Sequence, residues 1–325
     1  MNTIKVADYV HGGTQKDFYS EIEVENCNCP LCNSNDFNFL FRERGNIGIV
    51  ECRNCNLIYV NPRIKSLEKI YWGDPEKYFE EARFIFLDKK PHHRDRNYIE
   101  ELKQIKKHKF PGKLLDIGCN MGFFLRKAKE MGYDSYGIDP SPSLTQLGRK
   151  YFDLNIENNF LEKSSFQGKS FDVITIIDVF EHITGPKEFL KQVHGLLKDD
   201  GLVCIKVPNG NYNKMKLSIA KVLQKDEGAD IFDSYEHIVH YSILTMRKMI
   251  KACKFKVKEL FQPLPIQSPV WHLYVGQYFQ YPSPFCLDWK RNIARNIFYQ
   301  IGKIEGVLKL PVYFSPDLMF LIEKE

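Results

Sequence analysis

Three groups of residues in this 325-residue chain have types and spacings that could do chemistry. The first is a pair of CxxC knuckles, Cys29–Cys32 ("CPLC") and Cys52–Cys55 ("CRNC"). Four thiolates in this C-x2-C-x19-C-x2-C pattern can close tetrahedrally around zinc. A complete shell of four leaves no open coordination position, so the expected role is structural. Cys27 sits beside the first knuckle as a competing ligand. The second group is "LLDIGCNMGFF", residues 114–124, where a strand-like run ends in Asp116 and Gly118 and Gly122 bracket Asn120. Small residues there let a ligand approach the backbone, and the following helix offers free N–H groups. Asp139, in "YGIDPS", lies 23 residues beyond Asp116 and is placed to accept hydrogen bonds from ribose hydroxyls. A dinucleotide turn would read GxGxxG, but Phe123 stands where the third glycine belongs. The turn suits a smaller nucleoside carrying an amino-acid tail. The third group is two Glu–His pairs, Glu181–His182 after "VITIID" and Glu236–His237 in "SYEHIVHYS".

The elements that must position these groups follow from periodicity. Apolar runs without alternation, such as "VITII", read as strands covered on both faces. "KLLDIG", "DSYGIDP", "LNIEN", "FDVITIID" and "LVCIKVPN" are five such strands, and "FFLRKAKEM", "SPSLTQLGRKYF" and "GPKEFLKQVHGLLK" are helices between them. "KDDG" is expected to close the third helix, "YSILTMRKMIKACKF" to form another, and "KVKELF" and "DLMFLIEKE" to add two strands. The fold class expected is α/β: a Rossmann-like, doubly wound, seven-stranded sheet with a small N-terminal zinc-ribbon-like module and helical insertions. The expected boundaries are a zinc module over 1–62, a helical linker or lid over 63–110, and the α/β domain over 111–325, with insertions at about 209–241 and 263–313.

The motifs in order resemble the class I S-adenosylmethionine-dependent methyltransferases, over roughly residues 110–262 and the last strand. "DIGCNMG" is similar to their acid-GxGxG turn, with Asn120 at the middle glycine, a residue that tolerates left-handed backbone. "GIDPS" resembles their ribose-binding motif and "FDVITIIDVFEHI" their fourth-strand motif. The resemblance implies S-adenosyl-L-methionine as cofactor, held by Asp116, Gly118, Asn120, Gly122, Asp139, Pro140, Phe160 and Asp178. Phe160 replaces the acid that the family often sets against the adenine amino group, so adenine would be held there by stacking and backbone. "SYEHIVHYS" is similar to a segment of the zinc-binding sugar C-methyltransferases, which implies His237 as base and Glu236 as its orienting partner. Those sugar enzymes carry a long extra C-terminal domain that this chain is too short to include. His182, at the end of the fourth strand, is the further catalytic candidate. The N-terminal knuckles, the "NPR" turn and the aromatic lead-in "YWGDPEKYF" resemble a bacterial subgroup of these enzymes; the aromatic segment would cover the cofactor, or Trp72 and Tyr78 would pack the linker onto the core.

Composition narrows the partners. A net charge of +5 with basic residues spread along the chain gives no stripe for nucleic acid. Nine cysteines, four of them in CxxC pairs, suit metal or free thiols in a reducing compartment, and the N-terminus lacks a signal-peptide layout, so a cytoplasmic location is expected. The insert after the sixth strand carries Trp271, Tyr274, Tyr278, Phe279, Tyr281, Phe285 and Trp289, then Lys290, Arg291 and Arg295. A helical cap is the first reading of it; an acceptor-pocket wall, a dimer contact and membrane-surface contact are the others. The expected acceptor is a small molecule, of sugar or glycan-precursor type. The rivals are an RNA methyltransferase whose zinc module grips RNA and a non-catalytic scaffold that keeps the fold.

Overall fold

The computed structural model describes residues 20–43, 47–65, 94–168, 170–224, 231–265, 274–275, 278–279, 289–308, 310 and 312–325. The lid residues Trp72 and Tyr78, and Trp271, Tyr281 and Phe285 of the late insert, lie outside them.

The N-terminal region forms β1 (Val24–Glu25), β2 (Phe37–Glu43), β3 (Ile47–Cys52), β4 (Ile58–Val60) and β5 (Arg63–Ile64). The expected linker helix is α1 (Asp95–His108), which buries Tyr98, Leu102 and Ile105 on one face. Then come β6 (Lys113–Ile117), α2 (Phe123–Glu130), β7 (Asp134–Asp139), α3 (Pro142–Phe152), β8 (Asn155–Asn158) and β9 (Phe171–Ile177). They are followed by α4 (Pro186–Leu196), β10 (Leu197–Pro208), α5 (Gly210–Val222), β11 (Val239–His240), α6 (Ile243–Ala252) and β12 (Phe255–Phe261). The chain ends with β13 (Tyr274–Val275), β14 (Tyr278–Phe279), α7 (Trp289–Val307) and β15 (Asp317–Lys324). Local chemistry sets several helix starts. Proline opens α3 and α4, where its missing N–H costs nothing, and Ser242 with Thr245 forms a reciprocal capping box on α6.

Seven strands form one sheet in the order β12-β15-β10-β9-β6-β7-β8. Strands β10, β9, β6, β7 and β8 run parallel, and β15 enters antiparallel to both β10 and β12. The chain runs outward from β6 through β7 to β8, then returns to place β9 on the other flank of β6. That reversal opens a crevice at the carboxyl ends of β6, β7 and β9, where open α/β sheets seat ligands. One expectation is corrected. "KDDG" does not close the third helix; strand β10 already begins at Leu197, and its pairing with β9 slips between Leu197 and Leu202.

The second sheet joins the N-terminal strands to the insertion after β10. Its order is β11-β4-β3-β2, all antiparallel. Thus the insertion after β10 returns a strand, Val239–His240, to the N-terminal hairpins, with Val239 opposite Tyr59 and His240 opposite Ile58. One apolar core runs through both sheets, from Ile47, Ile49 and Tyr59 to Ile174, Val203 and Phe320. Phe180 and Tyr241 stack at its centre with rings 5.2 Å apart. Each such fully buried aromatic contributes about 1.5–3 kcal/mol, so the N-terminal sheet is welded to the domain rather than tethered.

Candidate active site

The glycine turn between β6 and α2 adopts left-handed backbone at three alternate positions: Gly118 at φ +73°, Asn120 at +54° and Gly122 at +89°. A Cβ at Gly118 would come within 2.4 Å of the Val179 side chain, so glycine is required there twice over. Asn120 holds its left-handed form by accepting a hydrogen bond from the Met121 N–H at 2.6 Å on its own Oδ1. Asp139 ends β7 and is buried beneath the turn. Its two oxygens accept from the Asn120 N–H at 2.8 Å and the Ser141 N–H at 2.9 Å. Burial pushes its carboxyl above the ordinary range, while these two N–H groups pull it back.

A cleft of about 600 Å³ opens at this point. Gly118, Asn120, Asp139, Pro140, Phe160 and Asp178 line one part of it, and His182 and Glu236 another. Six of the eight expected cofactor residues therefore meet in one cavity. Gly122 shapes the turn from behind. Asp116 points into the sheet, where it accepts a hydrogen bond from the Thr175 hydroxyl at 2.7 Å and burial raises its carboxyl to about 7. The open backbone turn, the acid at β7 and the aromatic edge fit a nucleoside with an amino-acid tail. A larger cleft of about 840 Å³, lined by Asn26, Asn33, Arg63 and Lys187 among others, does not include the glycine turn.

Asp178 carries more than the sequence suggests. It sits at φ +55° and is gripped by Arg94 at the start of α1 and by Lys206 of β10, the latter at 3.3 Å. Lys206 is fully buried and also lies 3.5 Å from Glu101 of α1. Burial opposes charge on Asp178, but Lys206 and Arg94 outweigh it and hold the carboxylate well below its usual range. Arg94, Glu101 and Lys206 were not among the expected site residues. The available signal was Lys206 itself, a charge inside the apolar run "LVCIKVP", which demands a buried counter-charge.

At the opposite wall, a 3-10 turn over Phe180–His182 presents Glu181 and His182. The insertion brings His237 against them, with the two imidazole rings 4.8 Å apart at their centroids. His182 Nδ1 lies 2.8 Å from the Glu236 carbonyl; since a carbonyl only accepts, Nδ1 carries the proton and Nε2 is left as a base. Burial lowers His182 to about 4, with the charge of His237 adding to the effect, so it is neutral at physiological pH. Glu236 thus meets His182 through its backbone, while the carboxylates beside His237 are Glu181 at 3.8 Å and Asp233 at 4.0 Å.

The four knuckle cysteines also come together. All four sulfurs lie within 4.8 Å of one another, with Cys29–Cys55 and Cys32–Cys52 each at 3.4 Å. Zinc–sulfur bonds of about 2.3 Å give tetrahedral edges of roughly 3.8 Å, so this cluster could hold zinc with little movement. Cys27 stands outside this group, its thiol directed at the Val60 carbonyl at 3.6 Å. Among the described residues no helix is long and apolar enough to cross a membrane.

Comparison with known proteins agrees with this geometry. A family described as Methyltransferase domain (Methyltransf_23) matches residues 91–260, just over half of the chain. The protein belongs to this family and is a class I S-adenosylmethionine-dependent methyltransferase by fold and motif. The Ubiquinone biosynthesis O-methyltransferase of Azorhizobium caulinodans is 25% identical over 112 residues, 33% of this chain and 44% of that protein. Its counterpart in Glaesserella parasuis is 30% identical over 110 residues, 31% of this chain and 47% of that protein. The chain therefore spans less than half the length of these curated relatives. The plantazolicin methyltransferase BpumL, solved with SAH, superposes with a TM-score of 0.49 at 19% identity, covering 80% of this chain and 94% of that one. A SAM-dependent methyltransferase from Archaeoglobus fulgidus superposes at 0.46 with 17% identity, covering 76% and 100%.

Proposed function

We propose that this protein transfers the methyl group of S-adenosylmethionine to a small-molecule acceptor, of sugar or glycan-precursor type. The observation that carries the reading is the single cleft that runs from the glycine turn and Asp139 to His182 and Glu236. The cofactor supplies an electrophilic methyl on sulfonium. Asp139, with the backbone of Gly118 and Asn120, would hold its ribose and tail, and Phe160 would flank the adenine. Asp178, fixed by Arg94 and Lys206, would keep the floor of the cleft rigid.

At the other wall an acceptor hydroxyl would be held in line with the methyl group, where orientation supplies much of the acceleration. The oxygen forms the new O–C bond as the C–S bond breaks, and the hydroxyl proton is lost at the wall that carries His182 and His237. The four cysteines would hold zinc structurally, which keeps β4 in place against the strand that follows His237. This assigns the module to wall-building rather than to RNA.

The test is calorimetric titration of S-adenosylmethionine into wild type and Asp139→Ala. Wild type is expected to bind, with affinity falling roughly 10–100-fold in the variant, the cost of losing charge-assisted hydrogen bonds of about 1.5–3 kcal/mol. A folded wild type that binds no cofactor would overturn the reading in favour of a scaffold.

A further inference from the structure

Glu181 is 1% exposed, and both of its carboxylate oxygens are buried without a hydrogen-bond partner. That is costly for a carboxylate at any site, and doubly so in a turn beside a ligand cleft. The nearest groups of opposite character are the Nε2 atoms of His182 and His237, each 3.8 Å from Glu181 Oε1. A direct ion pair would bring these atoms about 1 Å closer. Instead one ligand atom from each of the three residues lies within 4.8 Å of the other two.

We propose that Glu181, His182 and His237 form a second metal site, which takes a first-row divalent cation and opens onto the acceptor end of the cleft. Two imidazoles and one carboxylate are the donor set of open, catalytic zinc sites and of non-haem iron sites. Bonds of about 2.0–2.1 Å give tetrahedral ligand separations of roughly 3.4 Å, so each Glu–His separation would shorten by about 0.4 Å and the His–His separation by at most about 1.4 Å to close the site. The tautomer is already set for it. His182 Nδ1–H donates to the Glu236 carbonyl at 2.8 Å, which fixes the ring and leaves Nε2 for the cation. On the far side of His237 the Asp233 carboxylate lies 4.0 Å from Nδ1, an electrostatic neighbour rather than a hydrogen-bond partner. The backbone of the same turn is pinned too, since the Ile238 N–H donates to the Glu181 carbonyl at 3.0 Å.

The site deepens the function proposed above and rests on it for its chemistry. The cation would coordinate the acceptor hydroxyl and lower its pKa, as it does for bound water. The proton then leaves to solvent, the oxygen attacks the methyl group, and the C–S bond breaks. The histidines would act by holding the cation, not by taking the proton themselves. The thiolate cluster is a separate site of softer ligands, so the two differ in both chemistry and exchangeability.

The experiment is titration of Co2+ into zinc-loaded protein stripped of loosely bound metal, followed by absorption and calorimetry. Wild type is expected to bind one equivalent with ligand-field bands that lack thiolate-to-cobalt charge transfer. Glu181→Gln, close in shape, and His237→Gln, on the more exposed ligand, should each weaken that binding at least tenfold and leave the zinc content unchanged. Asp139→Ala should bind Co2+ as wild type does. Absence of any Co2+ binding outside the thiolates, or equal binding by both ligand variants, would overturn the proposal and leave Glu181 as a buried protonated acid. Cofactor binding without Co2+ binding sinks the metal site alone. Co2+ binding without cofactor binding sinks the methyl-transfer reading alone.

Discussion

The wall of the cleft proposed to hold the cofactor comes largely from one stretch of chain, from Lys113 to Phe160, in which each strand hands the next its ligand-facing turn. The wall proposed to face the acceptor draws on three stretches: the 3-10 turn over Phe180–His182, the insertion around Asp233–His240, and the N-terminal sheet that pairs with it. The first wall is held by the parallel sheet and its covering helices. The second hangs from the small sheet by two devices. One is the pairing of β11 with β4, extended by the Val60 N–H donating to the Ile238 carbonyl at 2.9 Å. The other is Glu43, a buried acid of β2 whose carboxylate accepts from the Ile231, Phe232 and Ser234 N–H groups at 2.9, 2.7 and 3.1 Å. A cofactor grip made of neighbouring residues can persist while the wall that shapes the acceptor varies, because that wall depends on a module elsewhere in the chain.

If the walls are separable, the largest effect should come from the four thiolates. Structural zinc in small modules contributes on the order of 10 kcal/mol. Metal stripped by a chelator, or lost in Cys52→Ser, is expected to unfold the small sheet and abolish methyl transfer while cofactor affinity persists. Metal content, differential scanning calorimetry and cofactor titration read the three quantities. Loss of cofactor binding together with the metal would break the distinction between the walls.

The cofactor wall has its own weak point, and it is pH-dependent. Asp116 is raised by burial from 3.8 to about 7, a difference of about 3 units, or roughly 4 kcal/mol as an order of magnitude. The folded protein holds this proton more tightly than the unfolded chain does. The contribution of this group to stability is therefore greatest below pH 4, falls as pH rises toward 7, and is level beyond. Asp116→Asn keeps an oxygen for the Thr175 hydroxyl and should flatten that slope, so that the variant is the more stable protein at pH 8. Urea unfolding at several pH values reads it, and an unchanged slope would refute it.

Glu43 tests the acceptor wall with a smaller change. Glu43→Ala leaves three buried N–H groups without an acceptor, at about 1–3 kcal/mol each before relaxation. A net loss near 3 kcal/mol is expected, together with a fall in kcat/KM for the acceptor and little change in cofactor affinity. Equal losses on both sides would mean that the walls act as one body.

This difference also explains what the sequence made legible. The strands from β6 to β10, the left-handed turn at Asn120 and the acid at Asp139 are local patterns, so periodicity and spacing sufficed for them. The four cysteines announced themselves by spacing alone. The strand Val239–His240 did not, because two residues carry no periodicity and their pairing partner lies 180 residues earlier in the chain. The carboxylate next to His237 was expected to come from Glu236, its neighbour in sequence; the structure also sets Glu181 beside it, across a tertiary contact. Buried charges at Lys206 and Glu101 had a sequence signal only as breaks in apolar patterns, which name a problem but not the partner that solves it.

The smallest effect should come from the visible link between the two regions on the outside. Lys214 of α5 reaches Glu51 of β3 at 2.7 Å, joining the insertion helix to the small sheet, and its side chain is 42% exposed. Exposed ion pairs are screened and spend side-chain entropy, so they contribute about 0–1 kcal/mol. Glu51→Gln should therefore cost less than about 1 kcal/mol and leave kcat/KM for the acceptor unchanged. The shared core at Phe180 and Tyr241, the β4–β11 pairing and the Glu43 carboxylate already fix the same two pieces from inside, which makes the surface pair redundant. A loss from Glu51→Gln as large as that from Glu43→Ala would show that the helix α5, and not the strand after it, carries the acceptor wall, and the order of these effects would have to be rebuilt around Lys214.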